Sequence, residues 1–96
     1  MKIVIVVDVI QPDGTKETKT LDRYPTLQDY YGWIGCDMIQ VVSTLDGREM
    51  VLDENAKLKR IVPETNPVAC AYVGAPTTGD HRIVGTVVIQ KEGTMQ

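Results

Sequence analysis

Phenylalanine is missing from this 96-residue sequence, and serine, histidine and tryptophan occur once each. One serine, Ser43, and one histidine, His81, leave little material for a hydroxyl- or imidazole-based active site. No GxSxG elbow, HExxH helix, P-loop or dinucleotide fingerprint occurs. The two cysteines, Cys36 and Cys70, have neither a CxxC spacing nor a histidine cluster beside them. That argues against a zinc site and against a disulfide framework, and reads both thiols as reduced core residues. A Cys-His pair of either thiol with His81 stays open, although nothing in the local sequence marks a thiol as activated. Catalysis is therefore not expected, and neither a metal nor a cofactor is implied.

Charge of one sign is also in short supply. Ten Lys and Arg stand against 13 Asp and Glu, for a net charge of -3 and a pI near 5.0. Such a balance does not draw the molecule toward phosphate backbones, so direct DNA binding is not expected. Long apolar runs are absent too. The stretch Lys2 to Ile10 is interrupted by Asp8, is too short to span a bilayer and lacks a small-residue cleavage site. It reads as a buried strand rather than a signal peptide or membrane segment, and the expected compartment is the cytoplasm. There is no tandem repeat and no low-complexity segment.

The composition present, 43% apolar and 24% charged, is that of a folded domain. A chain of this length fits one hydrophobic core, so residues 1–96 are expected to form a single domain. Lys2 to Ile10 is apolar on both alternating faces, as in a strand covered on both sides. Gln11-Pro12-Asp13-Gly14 is turn chemistry, and Thr15 to Leu21 returns as a polar, threonine-rich strand suited to a sheet edge. Thr26 can cap a helix, with Asp29 three residues on, Leu27, Tyr30, Tyr31 and Ile34 as its apolar stripe, and Gly35 as its stop. A hairpin follows over Asp37 to Thr44 and Arg48 to Leu52, turning at Asp46-Gly47.

Beyond Asp53-Glu54-Asn55, a further turn, a short extended piece is expected around Leu58 to Val62. Asn66-Pro67 caps a short helix over Val68 to Val73, stopped by Gly74. His81 to Gln90 reads as a closing strand, with Lys91 to Gln96 as a short polar end. The whole is an α+β fold, a small and largely antiparallel twisted sheet with one amphipathic helix and one short helix.

At this point the sequence resembles a family, the small phage- and plasmid-borne proteins of the domain of unknown function 3846. The resemblance runs through the opening strand and its Pro12-Asp13-Gly14 turn, Leu27-Gln28, Ile34-Gly35-Cys36-Asp37, and Ile39-Gln40-Val41-Val42. It continues through Leu52-Asp53-Glu54-Asn55-Ala56-Lys57-Leu58-Lys59, Asn66 with Ala69, and Gly79-Asp80 before Ile83-Val84-Gly85. Two departures stand out. Members often carry Asn-x-Arg-Ala-Thr where this chain has Asn66-Pro67-Val68-Ala69-Cys70, so no arginine role carries over, and Tyr30-Tyr31-Gly32-Trp33 is unusually aromatic. The resemblance implies a phage or mobile-element gene acting in a bacterial host cytoplasm, and it implies no activity.

Two constellations could carry binding. Tyr24, Tyr30, Tyr31 and Trp33 are four of the five aromatic residues. Trp33 either covers the rim of the core, the plainer account, or joins Tyr30 as a stacking platform for a base or a partner side chain. Lys57, Lys59 and Arg60 fall within four residues, and His81-Arg82 opens the last expected strand. They are either solvated edge charges or a pocket for phosphate or carboxylate. Asp8 is read as lying near an exposed strand end rather than as a buried acid, and Asp53 with Glu54 as turn residues rather than a cation site.

The first functional expectation is a non-enzymatic binding protein of phage or mobile-element type that captures a nucleotide signal as a counter-defence. The alternative is a protein-protein inhibitor that occludes a host enzyme or defence protein, and a small hydrolase or nuclease comes third. The candidate ligand-binding residues are Trp33, Tyr30, Lys57, Lys59, Arg60, His81 and Arg82. Small antiparallel domains with an exposed edge commonly self-associate, so a homo-oligomer is also expected.

Overall fold

The computed structural model describes residues 3–95, and the side chains of residues 3–90. Five strands form one sheet: β1 (Ile3–Ile10), β2 (Lys16–Leu21), β3 (Ile39–Ser43), β4 (Glu49–Asp53) and β5 (Val87–Met95). Their spatial order is β2-β1-β5-β4-β3, and every pairing of neighbours is antiparallel. Helix α1 (Leu27–Ile34) and helix α2 (Pro67–Val73) complete the α+β fold.

The faces of the sheet follow from strand periodicity. Ile5, Val7, Val9, Val51 and Val88 project to one face, where Tyr30, Trp33 and Ile34 of α1 pack over them. Ile10, Met50, Leu52, Val87 and Ile89 project to the other, where Ala69, Tyr72 and Val73 of α2 close the layer with Ile83. Each fully buried Ile or Val withdraws apolar surface worth about 1.5–3 kcal/mol. β1 and β5 hold the centre of both layers, which is why β1 is apolar on both sides.

Local chemistry sets the helices. Thr26 accepts the Asp29 N–H, Asp29 accepts the Thr26 N–H, and Gly35 ends α1 in the left-handed region at φ 79°. The stripe of α1 that packs on the sheet is the half-buried Tyr30, Trp33 and Ile34, at i, i+3 and i+4, rather than the expected stripe containing Leu27, which is 56% exposed. With only two turns, the helix leans its C-terminal half onto the sheet and leaves its first turn in water.

Four further expectations are corrected. Leu58 to Val62 forms no strand, because residues 56–58 wind into a 3-10 turn directly after β4. The last strand begins at Val87 instead of His81, since Gly85 at φ 79° breaks the extended run and only Val84 bridges to Thr65 before it. The backbone of 91–95 continues β5 past the expected strand end at Gln90, whereas Lys2 and Gln96 lie outside the described residues. Asp8 is 3% exposed and accepts a hydrogen bond from Thr18 Oγ1 at 2.6 Å, so it is a buried acid and not one at an exposed strand end. Its pairing partner in the register is that same Thr18 on the edge strand, which gives the carboxylate its donor.

Candidate functional site

α1 places Trp33 half-buried against the sheet, edge-on to Tyr30 with ring centroids 5.8 Å apart and planes at 89°. The Lys19 ammonium, from the edge strand β2, lies 6.0 Å from the Trp33 ring centroid. Burial pushes the Tyr30 hydroxyl pKa up. Trp33 thus has a cation beside its ring, a tyrosine against it and the sheet beneath it. A base stacking there would first have to displace Lys19.

The basic residues divide. Lys57 and Arg82 line one recess of about 170 Å³, together with Gln40, Val42, Leu52, Asp53, Glu54, Ile83 and Val84. Lys57 Nζ donates to the Asp80 carbonyl, and Arg82 Nη1 donates to the Gly79 carbonyl at 2.7 Å. Lys59 is ion-paired with the buried Asp53 at 2.9 Å, and that contact raises its pKa. Arg60 and His81 are exposed and do not line the recess.

Gln40, Val42 and Leu52 share the α2 face of the sheet, since Val42 pairs with Met50 and Gln40 with Leu52, whereas Trp33 and Tyr30 cover the α1 face. The aromatic and basic candidates therefore do not converge. Lys57 and Arg82 do meet, alongside two carboxylates. A recess of this volume is below the roughly 300–1,000 Å³ usual for small-molecule sites. A second, more open recess of about 450 Å³ lies at the β1-β2 end, lined by Ile3, Val4, Thr20, Leu21, Asp22 and Arg23.

The thiols show no sign of activation. Burial is the first cause that pushes the Cys36 pKa up, away from a reactive thiolate. Cys70 is fully buried, and its Sγ accepts the Ile83 N–H at 3.3 Å. Among the described residues no three His, Cys, Asp or Glu side chains gather as a metal site would need. No described helix is long and apolar enough to cross a membrane.

The most unusual surface lies where a strand was expected. Leu58 is 82% exposed, Ile61 84% and Val62 39%, all within five residues that also carry Lys59 and Arg60. Arg60 makes no hydrogen bond or ion pair among the described residues. The signal in the sequence is Leu58 set between Lys57 and Lys59 and Ile61-Val62 set between Arg60 and Pro63, but the β-forming character of Ile61-Val62 concealed it.

A family model described as "Domain of unknown function (DUF3846)" matches residues 1–95 of the chain. No curated protein and no solved structure matches it.

Proposed function

We propose, for a chain that belongs to the domain of unknown function 3846 family, that it works by binding another protein rather than by catalysis. The observation that carries this reading is the pair Leu58 and Ile61, each more than four-fifths in water. Large apolar side chains ringed by charge are the usual make-up of a docking element. Lys59 is already paired with Asp53, which leaves Arg60 as the loop's cation without an ion pair among the described residues, so the complementary surface is an apolar cleft with an acidic group placed for Arg60. On the phage or mobile-element context that the family resemblance implies, the target is a host enzyme or defence protein in the bacterial cytoplasm.

Ile61→Asp tests this. Because the side chain is exposed, folding stability is expected to change by less than about 0.5 kcal/mol. Binding to a partner enriched by the wild-type protein, re-formed from purified components, is expected to weaken at least about tenfold. A partner that binds Ile61→Asp as well as it binds wild type overturns the reading.

A second reading, capture of a nucleotide signal, keeps one observation in its favour: Lys57 and Arg82 share a recess. The small volume and the neighbouring Asp53 and Glu54 tell against it. Native mass spectrometry on gently purified protein separates the two readings, since a nucleotide-sized adduct lost on Arg82→Ala would support capture.

A further inference from the structure

The two edges of the sheet are built differently. β2 carries Lys16, Glu17 and Lys19 among threonines, the charged edge that discourages strand pairing. β3 reads Ile39-Gln40-Val41-Val42-Ser43, with no charge, no proline and no bulge against its neighbour. Exposed apolar side chains gather along it: Met38 is 50% exposed, Val41 52% and Leu45 75%.

The hydrogen-bond phase of β3 follows from its ends. The Met38 carbonyl accepts from Glu54 N–H and the Thr44 N–H donates to the Arg48 carbonyl, both in the register that pairs Val41 with Val51. Hydrogen-bonded and non-hydrogen-bonded pairs alternate along an antiparallel ladder. Gln40 and Val42 therefore bond inward to β4, and Ile39, Val41 and Ser43 turn both N–H and C=O toward the open edge.

We propose that this edge is the site where a second copy of the chain pairs, β3 against β3, in antiparallel register about a two-fold axis at Val41. The outward groups are symmetric about Val41, so this register sets Val41 opposite its copy and Ile39 opposite Ser43. Each outward N–H then meets an outward C=O, with none left over. Gln40 stands opposite Val42, and no like charges oppose one another within the strand. Two five-stranded sheets become one continuous sheet, with Val41 covered by its own copy. The contact is short, so the dimer is a weak one, formed in a concentration-dependent way.

Sedimentation of the full chain over a concentration series tests the pairing, with Val41→Lys as the variant. Wild type is expected to pass from monomer to dimer, and Val41→Lys to raise the dissociation constant about tenfold or more. Amide exchange on the unmodified chain gives a readout that misfolding of a variant cannot mimic. The Ile39, Val41 and Ser43 amides gain protection as concentration rises, while those of Gln40 and Val42 are protected throughout. A monomer at every concentration, a dimer untouched by Val41→Lys, or the three amides equally exposed in monomer and dimer would each overturn the proposal. None of these outcomes bears on the Leu58 to Val62 loop.

Discussion

The Asn66 side-chain amide donates to the carbonyl of Ile10, 56 residues earlier, at 3.1 Å. The same nitrogen donates to the Gly85 carbonyl at 2.9 Å, and Asn66 Oδ1 accepts the Ala69 N–H at 3.1 Å. One fully buried side chain thus ties the end of β1, the start of α2 and the turn before β5.

Asn66→Ala would leave buried backbone groups without partners as well as removing a helix cap, and each such loss costs about 1–3 kcal/mol. We expect a total of about 3 kcal/mol or more, read as a lower midpoint in urea. Asn66→Asp keeps the acceptor toward Ala69 but loses both donors, so it is expected to be nearly as damaging.

Acid should weaken the start of α1. The Arg23 guanidinium, bonded to Asp29 at 2.5 Å, is the main cause holding that carboxyl down to about 2, with the Thr26 N–H second. A carboxylate whose folded pKa lies below its unfolded value contributes stability above the unfolded value and loses it as pH falls through the folded one. The contribution is therefore complete above about pH 4 and lost between about 4 and 2. Asp29→Asn is expected to flatten the slope of stability against pH in that window, measured by urea unfolding at successive pH values.

Neither thiol should behave as a nucleophile. At neutral pH Cys36 is expected to alkylate more slowly than a free thiol, because burial raises its pKa, and Cys70 only when the protein unfolds. Mass spectrometry after brief iodoacetamide treatment counts the labels. Rapid double labelling of folded protein would contradict both expectations.

Trp33→Ala separates rim cover from ligand platform. As part of the layer over Val7 and Val88, Trp33 should cost about 2 kcal/mol or more when truncated. A variant as stable as wild type would return Trp33 to the list of binding residues.

Legibility in the sequence followed the range of the interaction. The α1 cap Thr26, its stop Gly35 and the Asn66-Pro67 start of α2 depend on neighbours within a few residues, and the sequence predicts each correctly. Asp8 is different, because its environment is set by Thr18 across the β1-β2 ladder and no local pattern distinguishes a buried acid from a terminal one. The late start of β5 reflects the left-handed turn at Gly85, whose N–H donates to the Glu64 carbonyl, a pairing between segments 21 residues apart. Of the five basic candidates that the sequence offers, only Lys57 and Arg82 line one recess, and Trp33, at the edge of the expected α1 stripe, packs on the sheet. That the two sets lie on opposite faces of the sheet follows only from the register of β3 on β4.

The position of β5 has a kinetic consequence. The β1-β2 and β3-β4 hairpins can each close early, from short loops, but nothing in the sheet ladder joins them until β5 enters between β1 and β4. A nascent chain would present two separate ribbons, each with an uncovered inner edge, until β5 has been synthesised. Rapid docking of β5 would then decide between a finished sheet and two hairpins free to pair with neighbouring chains.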